Sequence, residues 1–223
     1  MGDQDDDLSR ASADLLGFLR VEETWTDTLQ RVASLACTAI PGCDSGSVTL
    51  WREGHPYTVV STSELARAID ESQYETMEGP CLDASRYGES YVVGDMRVDG
   101  RWPAFSGIAA ERGALSSLSL PLVVRGESLG ALNLYSTREH GFDGAEATGE
   151  SFARQASVAL ANARVYQASR ALAESYEEAL KAAAAVEQAK GRIMAERGVS
   201  AEEAARILGN APEGDPGQPT LGE

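Results

Sequence analysis

The sequence contains few of the residues that metal centres and disulfide-stabilised domains require. Its 223 residues include three cysteines, Cys37, Cys43 and Cys81, and two histidines, His55 and His140. The cysteines form no CxxC pair, and an odd number without regular spacing argues against a disulfide framework. So small a set of ligands also argues against a His/Cys metal cluster. We therefore predict no metal site and no cofactor.

Long apolar runs are missing as well. No stretch approaches the roughly 20 apolar residues that a membrane helix needs. The first residues, Met1–Asp7, are acidic and lack the apolar core of a secretory signal. These absences predict a cytoplasmic protein with no membrane partner.

Catalytic motifs are absent too. The sequence has no GxxxxGK[ST] phosphate loop, no HExxH metal helix and no Ser/His/Asp set that the sequence supports. We accordingly predict no catalytic residue and a protein that is not an enzyme.

Positive charge is in short supply, because the chain carries a net charge of −16. Such a charge keeps a protein soluble and repels nucleic acid over most of its surface. Any RNA contact therefore requires a local basic patch, since neutralisation of phosphates supplies most of the non-specific affinity.

What the sequence does contain is a change of pattern from helix to strand and back to helix. The apolar positions between Trp25 and Ile40 follow helical spacing, and Pro41-Gly42 ends that helix. Strand-forming residues then predict two hairpins, 47–61 and 117–135, with a helix, a strand and a second helix between them. This order predicts an α+β fold with one antiparallel sheet and helices packed on it.

A long helical region follows and outgrows the domain. It is predicted to begin at Asp143–Glu146, which has the form of a capping box, and no proline interrupts it before Gly198. Apolar residues recur every seven positions, at Val165, Leu172, Ala179, Val186 and Ile193. Such spacing predicts a coiled-coil stalk, for which a homodimer is the simplest partner. A second capping box, Ser200–Glu203, begins a short helix that ends near Leu208.

Five short strings between Thr28 and Val165 are more specific together than any one of them alone. They are Glu78–Ala84, Arg101–Pro103, Ser119–Leu122, Leu129–Tyr135 and Ala159–Arg164. This segment resembles a GAF domain, the sensor module of many actinobacterial regulators. The resemblance implies an antiparallel GAF-type sheet flanked by helices and a pocket for a small-molecule ligand of unknown identity.

Four residues are candidates for that ligand pocket. The resemblance places Cys81 in a loop that borders the pocket, although a buried structural cysteine is the commoner case. Trp102 and Tyr135 are aromatic candidates for the pocket wall, or ordinary core aromatics. Asn133 lies in an otherwise apolar strand and needs a partner, which is either a ligand or a neighbouring loop.

A second resemblance covers the end of the stalk. Val186–Ala195 followed by Gly198–Ala204 is similar to the front half of an ANTAR domain, a dimeric helical module that binds paired RNA hairpins and lets polymerase read through terminators. The family's Ser-Arg pair is replaced here by Ala182-Ala183, and its last short helices are expected to be absent after Leu208. The tail is therefore predicted to be a short helical ANTAR-like module.

The ANTAR resemblance implies RNA contacts by Lys181, Lys190, Arg192 and Arg197. Residues 174–206 contain five basic and seven acidic side chains, so RNA binding requires the basic ones to gather on one side of a paired helix. The alternative is a solvated, ion-paired surface, in which Glu187 pairs with Lys190 three positions along.

The chain is thus divided into four segments. Residues 1–12 are a disordered acidic N-terminus, 13–165 a GAF-like sensor domain, 166–208 the helical stalk and partial ANTAR-like domain, and 209–223 a disordered tail. The favoured function is a signal-responsive, RNA-binding regulator of transcription antitermination. The alternative is a ligand-binding and dimerisation module whose shortened tail no longer binds RNA. A GAF-type sulfoxide reductase is disfavoured because the cysteines are not clustered in the sequence.

Overall fold

The computed structural model describes residues 24–209. The predicted disordered segments, 1–12 and 209–223, lie outside these residues except for Gly209, which is the last residue of a helix and not disordered as predicted. The chain forms two compact units, Met1–Gln167 and Ala168–Glu223. Within the described part of the chain, no helix combines the length and the apolar character needed to cross a bilayer.

Helices and strands follow one another as the sequence predicts. The helices are α1 (Trp25–Ala39), α2 (Glu64–Thr76), α3 (Pro80–Tyr87), α4 (Pro103–Glu111), α5 (Glu146–Arg197) and α6 (Ala201–Gly209). The strands are β1 (Ser45–Arg52), β2 (His55–Ser61), β3 (Tyr91–Val93), β4 (Ser116–Val124) and β5 (Glu127–Ser136). One element was not predicted: α3 replaces the loop expected around Cys81.

The five strands form one antiparallel sheet in the order β2-β1-β5-β4-β3. Both hairpins close through two residues with positive φ, Glu53-Gly54 and Arg125-Gly126. Positive φ at both positions is the type I′ conformation, which matches the twist of paired strands. The predicted α+β fold is confirmed.

The two faces of the sheet differ in chemistry. Leucines of β4 and β5 lie on one face and pack with α1 and the first turns of α5 in the main apolar core, where Leu29, Leu118 and Phe152 are fully buried. The other face carries serine, threonine, asparagine and tyrosine, and is covered by side chains of α2, α3 and α4. Both faces are buried, although only one is apolar.

The start of α5 differs from the prediction. Gly144 has φ +75°, which is not helical, and the helix begins at Glu146. Asp143 is exposed and lies 3.3 Å from His140 Nδ1, so it does not act as the N-cap of a helix that starts beside it. The capping box predicted at Asp143–Glu146 is therefore wrong.

Helix α2 supplies the side chains of the site described below, and its first turn is held by Ser63. The Ser63 hydroxyl accepts a hydrogen bond from the backbone N–H of Ala66 at 3.1 Å. We expect Ser63→Ala to lower the free energy of unfolding by about 1 kcal/mol, because this N–H loses its partner. Urea unfolding measures the change, and Ser63→Asp, which restores an acceptor, is expected to recover most of it. An unchanged midpoint for Ser63→Ala would show that the cap contributes nothing.

The second unit consists of the later turns of α5 and the short helix α6. Every residue from 168 to 188 is exposed. Gly198, with φ +67°, follows the end of α5, and the Ser200 hydroxyl accepts from the N–H of Glu203 at 3.3 Å to cap α6. Ala204 is fully buried, and Ile193 and Ile207 are half-buried. The short helix predicted to end near Leu208 is confirmed.

Candidate functional site

The polar face of the sheet arises from strict alternation along the strands. In β4, Ser117 and Ser119 point to one face while Leu118 and Leu120 point to the other. Asn133 lies opposite Ser119 on one side and Ser47 on the other, and Tyr135 lies opposite Ser117 and Ser45. The register thus brings small polar side chains from three strands into one buried band.

Asp70 of α2 lies against this band and is completely buried. Its carboxylate accepts hydrogen bonds from Tyr135 Oη at 2.6 Å, Asn133 Nδ2 at 3.1 Å and Thr58 Oγ1 at 2.7 Å. Burial raises the pKa of Asp70 to about 6, and the hydrogen bonds oppose this rise. An ionisable group near neutrality therefore lies at the centre of the domain.

A second set of contacts extends this Asp70 network. Tyr74 Oη shares hydrogen bonds with Thr49 Oγ1 at 2.7 Å and Thr58 Oγ1 at 2.9 Å. Gln73 Nε2 donates to Tyr135 Oη at 3.0 Å, and Gln73 Oε1 accepts from the backbone N–H of Cys81 at 2.8 Å. The network therefore joins β1, β2, β5, α2 and α3.

Several buried polar atoms on the same face have no hydrogen-bond partner among residues 24–209. They are Asn133 Oδ1 and the hydroxyls of Ser45, Ser117 and Ser119; the Ser106 hydroxyl of α4 is a further case. An unsatisfied buried polar group costs roughly 1–3 kcal/mol. Four such groups on one sheet face are unusual in a native core, because buried polar groups normally have hydrogen-bond partners.

Three of the four predicted pocket residues meet in the network. Asn133 and Tyr135 contact Asp70 directly, and Cys81 Sγ lies 4.0 Å from Thr49 Oγ1. Burial raises the pKa of the Cys81 thiol well above its usual value, so this thiol stays protonated and unreactive. Trp102 packs in the same apolar cluster as Tyr135, but its Nε1 donates to Asp83 Oδ2 at 2.9 Å.

Helix α2 contributes residues that were not among the predicted site residues, above all Asp70. A signal was present: Ala66, Ile69, Asp70 and Gln73 follow helical spacing along one face. An acidic residue inside an apolar stripe is the kind of exception that marks a functional position.

Surface grooves of the domain lie away from the network. One of about 450 Å³ is bounded by Trp25, Trp51 and Arg164, and another of about 580 Å³ by Pro121, Val123 and Arg154, among others. Neither contains Asp70 or any of its three hydrogen-bond donors. Because Asp70, Asn133 and Tyr135 are inaccessible to solvent, a ligand reaches them only when α2, α3 or α4 moves.

The four basic residues predicted to contact RNA all lie on α5, and they differ in whether they form ion pairs. Lys181 Nζ is 4.0 Å from Glu177, and Lys190 Nζ is 2.6 Å from Glu187, which is the pair that the sequence suggested. Within residues 24–209, Arg192 and Arg197 form no ion pair. The arginines are therefore available to an external anion, and the lysines are partly neutralised.

Helical geometry separates these residues into two groups. At about 100° per residue, Lys181 and Arg192 lie within about 20° of each other around α5, as do Lys190 and Arg197. The two groups are about 160° apart. The expectation of a single basic side is therefore not met within one helix.

Comparisons with known proteins agree with the two resemblances. A GAF domain model matches residues 22–161, and an ANTAR domain model matches residues 174–211. No curated protein matches the sequence.

Solved structures share the fold of the first unit. A domain of a two-component sensor histidine kinase from Sinorhizobium meliloti is 18% identical, covers 67% of this chain and 99% of its own, and has a TM-score of 0.54. The GAF domain of a phosphoenolpyruvate-protein phosphotransferase from Acinetobacter is 18% identical over 74% of this chain and 96% of its own, with a TM-score of 0.56. A free methionine-R-sulfoxide reductase from Neisseria meningitidis is 19% identical over 72% of this chain and 90% of its own, with a TM-score of 0.55.

Identities this low show a common fold and nothing about activity, so the assignment rests on the family models. Those models cover the sheet, the helices around it and the last turns of α5 with α6. The chain belongs to the GAF family and carries an ANTAR domain after its GAF domain.

Proposed function

We propose that this protein is a cytoplasmic, signal-responsive regulator that binds RNA hairpins and promotes transcription antitermination. The observation that carries the proposal is the placement of both domains on one helix. The first turns of α5 are part of the GAF core through Phe152 and Leu160, and the ANTAR match begins at residue 174 of the same helix. A change at the sheet is thus connected to the RNA-binding module by continuous backbone.

The Asp70 network is the proposed sensing site. The unpaired Asn133 Oδ1 and the Ser117 and Ser119 hydroxyls are ready to bind a small polar molecule. The occupant we propose carries hydrogen-bond donors for Asn133 Oδ1 and for the Asp70 carboxylate. Binding would satisfy groups that now lack partners, and this gain drives the rearrangement of the covering helices.

A second copy of the chain is the proposed partner of the stalk. Val165 and Leu172 are 65% and 57% exposed and are seven residues apart, in line with Val158, Ala179 and Val186. An apolar seam that no described residue covers is the usual mark of a coiled-coil partner. A dimer would also bring two ANTAR domains to two hairpins.

RNA binding is tested with the purified full chain and a two-hairpin leader RNA in gel shifts at several salt concentrations. We expect Arg192→Ala and Arg197→Ala to weaken binding. Each is expected to lower the slope of log affinity against log salt by about 1 per subunit, or about 2 for a dimer, because each subunit no longer neutralises one phosphate. Lys181→Ala is the matched control on the same helix. Since Glu177 already lies beside this lysine, its removal is expected to change the slope less.

Two outcomes would overturn the RNA assignment: no binding even at low salt, or binding whose salt slope ignores both arginines. The alternative function would then stand, in which the GAF domain binds a ligand and the stalk only dimerises. The ion pairs of Lys181 and Lys190 and the excess of acidic side chains in residues 174–206 favour that alternative.

A further inference from the structure

Two cysteines outside the Asp70 network lie against each other. Cys37 is in the last turn of α1, and Cys43 follows the Pro41-Gly42 turn. Their sulfur atoms are 3.2 Å apart, compared with about 2.05 Å in a disulfide. Both side chains are half-buried, whereas Cys81 is fully buried. Bond formation requires the two sulfur atoms to approach by about a further 1.2 Å.

The backbone fixes this proximity. Gly42 has φ +84°, and a Cβ there would lie 1.7 Å from the carbonyl oxygen of Gly141, so only glycine fits the turn that returns the chain to Cys37. A Cβ on Gly46 would lie 3.1 Å from Cys37 Sγ. Gly42 therefore permits the turn between the two cysteines, and Gly46 leaves room for the Cys37 side chain.

The contacts give the two thiols different properties. Cys43 Sγ donates to Cys37 Sγ and lies 3.3 Å from the carbonyl oxygen of Ser45. The hydrogen bond from Cys43 lowers the pKa of Cys37, and a contact with Thr62 lowers it further. Burial and the charge of Asp44 act in the opposite direction and raise this pKa. The same bond and burial raise the pKa of Cys43. The carbonyl oxygen of Ser45 beside Cys43 Sγ also favours the protonated form of Cys43, so Cys37 is the thiol that reacts as the nucleophile.

We propose that Cys37 and Cys43 form a redox site that hydrogen peroxide converts to an intramolecular disulfide. The Cys37 thiolate attacks one peroxide oxygen, the O–O bond breaks, and the departing hydroxide takes up a proton to become water. Cys37 is then a sulfenic acid. Cys43 loses its proton, its sulfur displaces hydroxide from Cys37, and the second water forms with the S–S bond. The two thiols are oxidised by two electrons in total, peroxide is reduced to two waters, and a dithiol reductant reverses the change.

The position gives the disulfide a consequence for the sheet. Cys43 is two residues before Ser45, where β1 begins, and the intervening Asp44 accepts hydrogen bonds from Ser136 and Thr137 at the end of β5. Oxidation would tie the end of α1 to the beginning of the strand that carries Ser47 and Thr49. Oxidation of this pair would therefore act on a strand that contributes side chains to the sensing network.

The test treats the reduced full-length protein with hydrogen peroxide and follows free thiols, intact mass and peptide maps. We expect wild type and Cys81→Ser each to lose two thiols and two hydrogen atoms and to yield one peptide pair joined through Cys37 and Cys43. Dithiothreitol is expected to restore both thiols. Cys43→Ser is expected to stop at a sulfenic acid on Cys37 that dimedone traps, and Cys37→Ser to react at least about tenfold more slowly.

Several results would overturn the proposal. They are a disulfide between two chains, a disulfide that includes Cys81, or equal oxidation of Cys43 in the absence of Cys37. Circular dichroism shows whether each variant is folded, and Cys37→Ala replaces Cys37→Ser if the hydroxyl is not tolerated. Because the readout is thiol chemistry, failure here leaves the RNA assignment untouched.

Discussion

Asp70→Asn is expected to make the folded protein more stable at neutral pH and to flatten the dependence of its stability on pH. Burial raises the pKa of this carboxyl from 3.8 to about 6. Between these values the folded state keeps a proton that the unfolded state releases, so wild-type stability falls as pH rises through this window and then levels off. A shift of about two units corresponds to about 3 kcal/mol. The variant carries no such penalty.

Asparagine is the appropriate substitution because it preserves the shape and the contacts. Its amide oxygen accepts from Tyr135 and Asn133, and its amide nitrogen donates to Thr58, whose hydroxyl can turn towards Tyr74. Urea unfolding at a series of pH values measures the effect. Curves for wild type and variant that stay parallel between about pH 4 and 7 would contradict the assignment of a raised pKa to Asp70.

Asp44→Asn provides a control of opposite sign. The Asp44 carboxylate accepts from the backbone N–H of Thr137 at 2.7 Å, and this hydrogen bond holds its pKa below the usual value. A lowered pKa stabilises the folded state above the ordinary pKa of the group, and the contribution is lost as pH falls. Asp44→Asn is therefore expected to destabilise the protein at neutral pH, where Asp70→Asn stabilises it.

A gain in stability on removing a buried charge has a functional meaning. Folding alone does not account for a fully buried ionisable carboxyl beside three polar atoms that have no hydrogen-bond partner among the described residues. Asp70 is retained, in our proposal, because the ligand interacts with it, so Asp70→Asn should gain stability and lose the response to ligand. This opposition between stability and activity is common at binding sites.

The sequence predicted elements better than it predicted the site. Hairpins and long helices follow from local patterns, and β1–β2, β4–β5 and α5 appear where those patterns are strongest. Asp70 belongs to a different class, because its role depends on the packing of α2 against strands that are distant in the sequence. Asn133 was identifiable, since a polar residue in an apolar strand stands out without knowledge of its neighbours.

Two local errors have physical causes. Cys81 was expected in a loop, yet Pro80 before it fits the first turn of a helix because the missing N–H of proline needs no partner there, and α3 begins at Pro80. Asp143–Glu146 matched the letters of a capping box, but Gly144 takes a left-handed conformation. In both cases the residue types alone did not determine the backbone conformation.

The positions of the basic residues around α5 follow from their spacing in the sequence. Eleven residues separate Lys181 from Arg192 and seven separate Lys190 from Arg197, which are spacings that share a side of a helix. Nine residues separate the two lysines, and this spacing puts them on opposite sides. A single basic surface therefore requires contributions from both subunits of the dimer that we propose, and in that proposal RNA binding depends on dimerisation.

Leu172→Glu is expected to separate the dimer and, as a consequence, to reduce RNA affinity by about 100-fold or more. A glutamate at a seam position places two like charges in an apolar interface. The burial of the charges and the repulsion between them both destabilise the dimer. A dimer holds two hairpins at once, whereas a monomer binds a single hairpin and forgoes the gain of roughly 10²–10⁴ that linkage typically provides. Sedimentation gives the oligomeric state, and gel shifts on the two-hairpin RNA give the affinity.

Leu180→Glu is the matched control, since it introduces the same charge on the same helix. Leu180 is 70% exposed and lies about 80° around the helix from Leu172, so it falls outside the seven-residue seam. We expect it to remain dimeric and to bind RNA nearly as wild type does. If Leu172→Glu stays dimeric, the seam is not the interface. If it becomes monomeric with unchanged RNA affinity, each ANTAR domain acts alone, and the basic residues of a single helix must then account for all of the binding.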